Sequence, residues 1–466
     1  MTNAGKKCVV IHNGSSQTMA GFSNRETPQC ILPSSYIQNE GEDRHIFGTF
    51  EMLDEAQKNK PNANVYTIMD TRGLPYNWDA LEEQWRYIYQ THLKTNPEEL
   101  PLVISVPASS AELDMKVIEK YFELAFVKLK VPTMQIVVEP LAVALSMSKS
   151  SALVLDMGAR GCRVTPIIDG TVVKGGVMRS KFAGDFLDFK VTELLKESVP
   201  LADRSCSMWY SSETWIQQFK ATMLQVCDKN LVELERFHEE QAAQLQPVGF
   251  QQFTTNSLTQ TKNFLQKNAD GTKKTITLRL KDCYKLPEYL FQPQMASSDF
   301  ASGDGITELM SKSIRKTGAS VSAMGTPSGG GNGASLTLNE RGTAQANSGS
   351  QGKGTGSQGT GGTGTAAASG ISPEQVYSLL LTNVIITGST SLLQGMEQRI
   401  VNELSIRFPQ YKLTTYANQI LMDRKIQSWT AMSSMANLPG WELGHWFSLA
   451  DYELLISGGK SKKAAQ

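Results

Sequence analysis

The stretch 8–22, CVVIHNGSSQTMAGF, decides the reading of this chain. Val9 to Ile11 make a short apolar strand, Asn13-Gly14-Ser15-Ser16 a tight polar turn, and Met19 to Phe22 the start of a return strand. A turn rich in Gly, Ser and Asn aims backbone N–H groups and hydroxyls into one small space, the geometry that cradles a phosphate. A single such hairpin is equally an ordinary turn. The pattern occurs twice, however: 152–170, ALVLDMGARGCRVTPIIDG, repeats an apolar strand carrying Asp156, a Gly-containing turn and a return strand. Two hairpins of one design, each opening a half of the chain, predict two similar lobes facing each other across a cleft.

The 466 residues suffice for two lobes with separate cores. Lys+Arg and Asp+Glu are both 45, and this balance argues against a protein whose main task is to grip nucleic acid, since phosphate binding needs a basic surface. The six cysteines (Cys8, Cys30, Cys162, Cys206, Cys227 and Cys283) lie without CxxC or Cys/His ligand spacing and read as reduced, mostly buried thiols. The apolar run after Lys6-Lys7 is too short for a signal peptide, and no run is long enough to span a bilayer, so the expectation is an intracellular soluble protein. Lys460, Lys462 and Lys463 read as a solvated basic tail.

Along the chain, Cys30 to Ile37 is a strand with a proline, followed by a polar passage and a small strand pair around Ile46 to Phe50. Trp78 to Leu93 has helical spacing with Asn77 placed to cap it, LPLVISVP is a buried strand, and a helix is expected from about Asp114 to Phe126. Gln135 to Val138 reads as a strand and Glu139-Pro140 opens a short helix. Such alternation defines an α/β lobe. Between Asp228 and Lys274 a charged helical extension and then a glutamine-rich, poorly ordered loop are expected, with a strand returning at Lys274 to Leu280. The stretch 325–370, nearly all Gly, Ser, Thr, Ala and Asn, has too little apolar surface to offset its ordering and reads as a disordered surface loop. A helix from Pro373, a strand Val384 to Ile386 and a helix Leu392 to Leu404 follow, and the closing aromatics Trp429, Trp441, Trp446 and Tyr452 read as core.

These motifs together resemble the actin family. The two hairpins look like its two phosphate loops, and 382–395, TNVIITGSTSLLQG, like its adenosine-binding turn. Asn77-Trp78-Asp79 followed by Trp85, Leu290-Phe291-Gln292-Pro293, and Trp429 leading to Leu438 add matches in the right order. Within the family the wording is most similar to fungal actin-related subunits of SWI/SNF-type and RSC-type chromatin remodellers. The resemblance implies an α/β, two-lobed actin-like fold of four subdomains around a nucleotide cleft. Subdomain 1 would comprise 1–34, 70–146 and 427–466, and subdomain 2 residues 35–69, without a filament-insertion loop. Subdomain 3 would comprise 147–182 and 299–426, with the insert at about 325–370, and subdomain 4 residues 183–298, with the insert at about 228–274.

The resemblance also assigns a nucleotide site of Asn13, Gly14, Ser15, Asp156, Gly158, Gly184, Lys220, Gly388, Ser389 and Thr390. Against the family pattern, His12 stands at an aspartate, Met19 at the phosphate-binding lysine, and Ala159 at the second aspartate. Arg160 stands at a glycine, Glu139 at the water-orienting glutamine, and Ala221 at the ribose-binding glutamate. A thioether cannot pair with phosphate charge, and a neutral imidazole cannot replace an anion beside a metal. The expectation is therefore a protein without enzymatic activity and without a metal site, for which ATP is at most a weakly bound, non-hydrolysed ligand. A groove of Leu145, Met435 and Leu438, with Ser148 at its floor, is implied as a seat for an amphipathic partner helix. The implied partners are a second actin-related protein, the helicase-SANT-associated helix of a remodelling ATPase, other remodeller subunits and, indirectly, nucleosomes, in the nucleus and with no membrane. An actin-type ATPase using Glu139 and Asp156, or a filament-forming protein, is the alternative.

Overall fold

A computed structural model describes residues 7–58, 63–110, 115–195, 216–244, 258, 260–267, 273–324, 371–438 and 446–463. In the first half, β1 (Val9–Asn13), β2 (Gln17–Phe22) and β3 (Cys30–Pro33) form an antiparallel meander, and β4 (Ser35–Asn39) pairs with β5 (Ala63–Thr67) in a small separate sheet. β6 (Leu102–Val106) and β7 (Met134–Val138) join β1 in parallel, giving a five-stranded sheet of order β3-β2-β1-β6-β7. In the second half, β8 (Ala152–Met157) and β9 (Cys162–Ile168) make the second hairpin, with β10 (Thr171–Val172) and β11 (Met178–Ser180) both paired to β9. β12 (Thr261–Lys267) and β13 (Lys273–Arg279) pair with each other, while β14 (Val384–Thr387) and β15 (Thr415–Tyr416) extend β8 in parallel. The second large sheet thus runs β10-β9-β8-β14-β15, with β11 on β9.

The strand sequences show why both large sheets are buried on both faces. In β1, Val9 and Ile11 point into a core with Leu81, Trp85 and Tyr121, whereas Val10 points the other way, among Val103, Trp429 and Met432. In β8, Leu153, Leu155 and Met157 enter the second lobe's core, and Ala152 and Val154 face back to the shared cluster. A strand covered on both sides reads as a continuous apolar run, which is how VVI and ALVL are written. Helices Glu139–Ser146 and Leu421–Ala436 contribute the rest of the shared cluster and couple the two sheets. The cleft opens beside them.

Local signals act as expected in several places. Asn77 Oδ1 accepts the Ala80 N–H at 3.1 Å and caps helix Trp78–Tyr87, which widens into a π-type turn at Ile88–Leu93. Ser372 and Gln375 form a capping box at the start of helix Pro373–Leu381. Trp429 is fully buried, Tyr452 nearly so, and Trp446 packs half-buried on the shared cluster. Cys8, Cys30, Cys162, Cys227 and Cys283 are buried free thiols. No described helix is long and apolar enough to cross a membrane.

Three expectations are corrected. The strand pair around Ile46 to Phe50 is a single bridge between Ile46 and Ile37, followed by helix Thr49–Lys58. Gly48, at φ +94°, turns the chain out of the extended conformation, and its carbonyl accepts the Met52 N–H. The expected glutamine-rich loop contains β12, because TKNFLQK buries Phe264 and Gln266 on one face and finds its ladder in β13. The helix expected from Leu392 starts at Met396, after Gly395 at φ +87°. The insert 325–370, Cys206 and Trp441 lie outside the described residues, as does most of the glutamine-rich stretch.

Candidate functional site

Between the lobes lies a cavity of about 440 Å³, and all ten residues singled out for nucleotide line it: Asn13, Gly14, Ser15, Asp156, Gly158, Gly184, Lys220, Gly388, Ser389 and Thr390. The first hairpin supplies one wall. Gly14 closes its turn with an N–H bond to the Gln17 carbonyl (3.1 Å), and its own carbonyl accepts the Ser34 hydroxyl at 2.6 Å. The amides of Ser15 and Ser16, at the tip, have no hydrogen-bond partner among the described residues. Asn13 is oriented from behind, its Oδ1 accepting the Trp85 indole N–H (3.2 Å) and its backbone N–H donating to Ser105 Oγ (3.2 Å).

The second hairpin supplies the facing wall and is pinned by the turn at 388–390 and the helix start at Gly184. Thr390 donates its hydroxyl to the Gly158 carbonyl at 2.8 Å, and the Gly184 amide reaches the same oxygen at 3.2 Å. Gly388 has φ +88°, and a Cβ there would meet the Met157 carbonyl oxygen at 2.4 Å, so only glycine fits. Lys220 is nearly buried and ion-paired with Asp188 at 2.5 Å, so its charge is already compensated. Burial pushes the Asp188 carboxyl up, against the pull of Lys220.

The end of the cleft nearest the hairpin tips carries a chain of polar groups. His12 Nδ1 lies 2.9 Å from Ser105 Oγ, His12 Nε2 lies 3.9 Å from Glu139 Oε1, and that oxygen also accepts the Ser428 hydroxyl. Asp156 faces the same space, and burial first, then the charge of Glu139, pushes its carboxyl up to about 7, opposed by Arg163. Arg160 is committed elsewhere: it donates to the Met69 carbonyl across the cleft and pairs with Asp185 at 3.5 Å.

The family's magnesium does not fit these residues. A small divalent cation of this kind needs ionised carboxylates around an octahedral water shell. Of the three aspartates that the resemblance implies, one is His12, held by Ser105, one is Ala159, and the third, Asp156, is driven towards its neutral form. Among the described residues no three His, Cys, Asp or Glu side chains are grouped to hold a metal ion.

Cavity residues that the sequence reading passed over include Ser105, Arg163, Arg424, Lys425 and Ser428. Ser105 had a signal, being the only polar residue in the strand LVISV. The others carry none, because helix Leu421–Ala436 and β9 are brought to the cleft by long-range packing.

The proposed groove residues sit at the ends of the two hinge helices. Leu145 is half-buried against the shared cluster, and Leu438 is 45% exposed. Ser148 is exposed and held at φ +57°, a left-handed conformation unusual for serine. Met435 is only 3% exposed, so it belongs to the core beneath the groove rather than to its contact surface.

Two sheets joined through two hinge helices, with paired glycine hairpins facing across a cavity, define the two-lobed nucleotide-cleft class. The chain belongs to the actin family: the Actin family model matches residues 4–324 and 338–454. It is 54% identical to Actin-related protein 7 of Saccharomyces cerevisiae, with 98% of each chain covered. It is 25% identical to Actin-related protein 4 of Schizosaccharomyces pombe, covering 96% of this chain and 94% of that protein. It is also 29% identical to the SWI/SNF and RSC complexes subunit arp42 of the same yeast, over 40% of this chain and 43% of that protein.

Proposed function

We propose that this protein is a non-catalytic, actin-related structural subunit of a nuclear ATP-dependent chromatin remodeller. It pairs with a second actin-related protein and seats the helicase-SANT-associated helix of the remodelling ATPase, contacting other remodeller subunits and, through them, nucleosomes. The observation that carries the reading is the full-length likeness to yeast Actin-related protein 7; a further relative named as a SWI/SNF and RSC subunit adds support. The cleft is consistent with it, since Met19 and His12 stand where catalysis needs a cation and a carboxylate. On this reading subdomains 1 and 3, divided as the family pattern divides them, frame the helix groove at Leu145, Ser148 and Leu438 over Met435. ATP, where bound, acts as a structural ligand and is not turned over.

The test is purification of the tagged native protein with mass spectrometry of what accompanies it. A remodelling ATPase and a second actin-related protein are the expected companions. Their absence from a stable, folded preparation overturns the proposal. A phosphate-release assay on the purified chain addresses the ATPase alternative: turnover that Glu139→Gln abolishes in a folded protein establishes an enzyme.

A further inference from the structure

The second lobe carries a two-stranded ribbon, β12 with β13, and neither strand pairs with any other described strand. Alternation divides its two faces. Phe264 and Ile276 stand opposite each other and are buried in the second lobe's core, Phe264 lying edge-on to Phe219 with ring centres 5.2 Å apart. The other face is left to solvent, with Asn263, Leu265, Lys273, Thr275, Thr277 and Arg279 all exposed. Thr277 donates its hydroxyl to Asn263 Oδ1 at 2.6 Å, which fixes two hydrogen-bonding groups near the middle of that face.

The charge on this ribbon is one-sided. Residues 261–281 hold six Lys or Arg against a single acid, Asp270, in a chain whose charges cancel as a whole. The two strands themselves carry no acidic residue. Register gathers lysines at one end, where Lys267 stands directly opposite Lys273 and Lys274 is next in line. A lysine on an unpaired edge guards against strand addition, but opposed lysines work against the ribbon itself unless an anion neutralises them. Among the described residues Lys273 has no ion pair, whereas at the opposite end Arg279 pairs with Asp282 and Lys281 with Glu235, each at 3.0 Å. The Arg279 side chain is 65% exposed, and a surface pair of that kind is readily exchanged for another anion.

We propose that the outer face of this ribbon is an auxiliary contact for duplex DNA, its Lys273 end and its Arg279 end each meeting one phosphate backbone across a groove. The strand from Lys273 to Arg279 is roughly 20 Å long. That length bridges the major groove, which is about 12 Å wide and admits a two-stranded ribbon. Between the charged ends the face offers Asn263, Thr275 and Thr277, side chains that hydrogen-bond to phosphate and sugar, with Leu265 as an apolar contact among them. A flexible acidic peptide has no need of cations held apart at the two ends of a rigid ribbon, so the spacing favours the duplex. The chain's balanced total is no obstacle, because the local charge is what faces the phosphates. Such a contact is direct, where the proposed function reaches nucleosomes through other subunits.

The experiment follows the fluorescence anisotropy of a labelled duplex of about 20 base pairs titrated with the purified full chain, from about 50 to about 200 mM potassium chloride, with poly-glutamate as competitor. Binding is expected at the low-salt end, with log K falling against log salt at a slope of about −2 to −3, the signature of two to three phosphate contacts. Lys273→Glu is expected to weaken binding at least tenfold and Arg279→Gln severalfold, each making the slope shallower by about one. Lys130→Glu, the same charge change on the first lobe, is expected to leave affinity within twofold. The thermal midpoint of Lys273→Glu is expected to equal or exceed that of wild type, since a like-charge cross-strand pair becomes an unlike one, so lost binding is not lost folding. The proposal is overturned if wild type fails to bind at about 50 mM salt, or if Lys273→Glu and Lys130→Glu weaken binding alike. It is overturned equally if poly-glutamate displaces the duplex at matched charge, the mark of a surface that takes acidic protein instead. Should Arg279→Gln lower the midpoint by releasing Asp282, Lys273→Glu carries the test.

Discussion

Trp429 donates its indole N–H to the backbone carbonyl of Val10 at 3.0 Å, so the last long hinge helix is fastened to the central strand of the first sheet. The ring itself is wholly buried, and a Cβ on Gly21 would meet its Cζ2 at 2.8 Å, which leaves glycine the residue that fits beside it. One side chain therefore bonds β1, packs on β2 and contributes to the cluster shared by both lobes. Trp429→Phe removes the donor and part of the ring, with an expected loss of about 1–3 kcal/mol. Trp429→Ala is expected to cost about 3–5 kcal/mol or more. Urea unfolding followed by circular dichroism measures both, and a Phe variant as stable as wild type refutes the role given to the bond.

Arg399 is fully buried and paired with Glu288 at 2.7 Å, with Glu403 and the carbonyls of Cys227 and Lys229 taking its remaining donors. Replacing it with Met leaves Glu288 buried without a counter-charge, an expected cost of about 3–5 kcal/mol. The double change Arg399→Met with Glu288→Leu is expected to recover much of that loss, because no bare charge remains. Chemical denaturation of the three variants tests this; if the double variant is less stable than Arg399→Met, the explanation fails.

The pH dependence follows from Asp156, whose carboxyl is pushed up to about 7 from an ordinary value of 3.8. With the folded-state value raised, the native protein holds a proton that the unfolded chain has released. Its contribution to stability is full below about pH 4 and is lost as pH rises through about 7. Asp156→Asn keeps the shape without the charge, so its thermal midpoint is expected to exceed that of wild type increasingly from about pH 4 to about 7 and to hold that margin above it. Equal slopes for the two proteins across that range count against the assignment.

At the groove, Leu438→Asp is the discriminating change, since Leu438 is exposed whereas Leu145 packs on the core. A carboxylate set against an apolar helix face costs several kcal/mol to desolvate, enough to dissociate a submicromolar contact. The variant is expected to fold normally and to lose a peptide of the ATPase helix by at least tenfold in anisotropy titration. Wild-type affinity moves the partner surface elsewhere.

How much of this was legible beforehand differs by length scale. The strands VVI, ALVL and LVISV, the cap at Asn77 and the helix start at Pro373 are local patterns whose physics is complete within a few residues, so they read directly. The repeat of a glycine hairpin fixed the two-lobed design, and the likeness to a family placed ten residues around one cavity. What failed locally was short or ambivalent: Thr49–Lys58 follows a turn set by Gly48, and β12 is a strand because β13 lies beside it.

The sequence alone determined the elements whose pattern is local, such as β1, β8 and the helix capped by Asn77, and the likeness to a family pointed to Met19 and His12 as side chains ill suited to a metal-bound triphosphate. Only the tertiary structure decided where the remaining charges go. Lys220 is consumed by Asp188 and Arg160 by Asp185 and the Met69 carbonyl, Arg163 and Arg179 come face to face through strand register, and the apolar Met435 is taken into the core. The reason is physical: a side chain's chemistry belongs to its residue, but its solvation and its partner are set by groups far away in the chain. Lys220 lies 32 positions from Asp188, and Trp429 lies 419 positions from Val10.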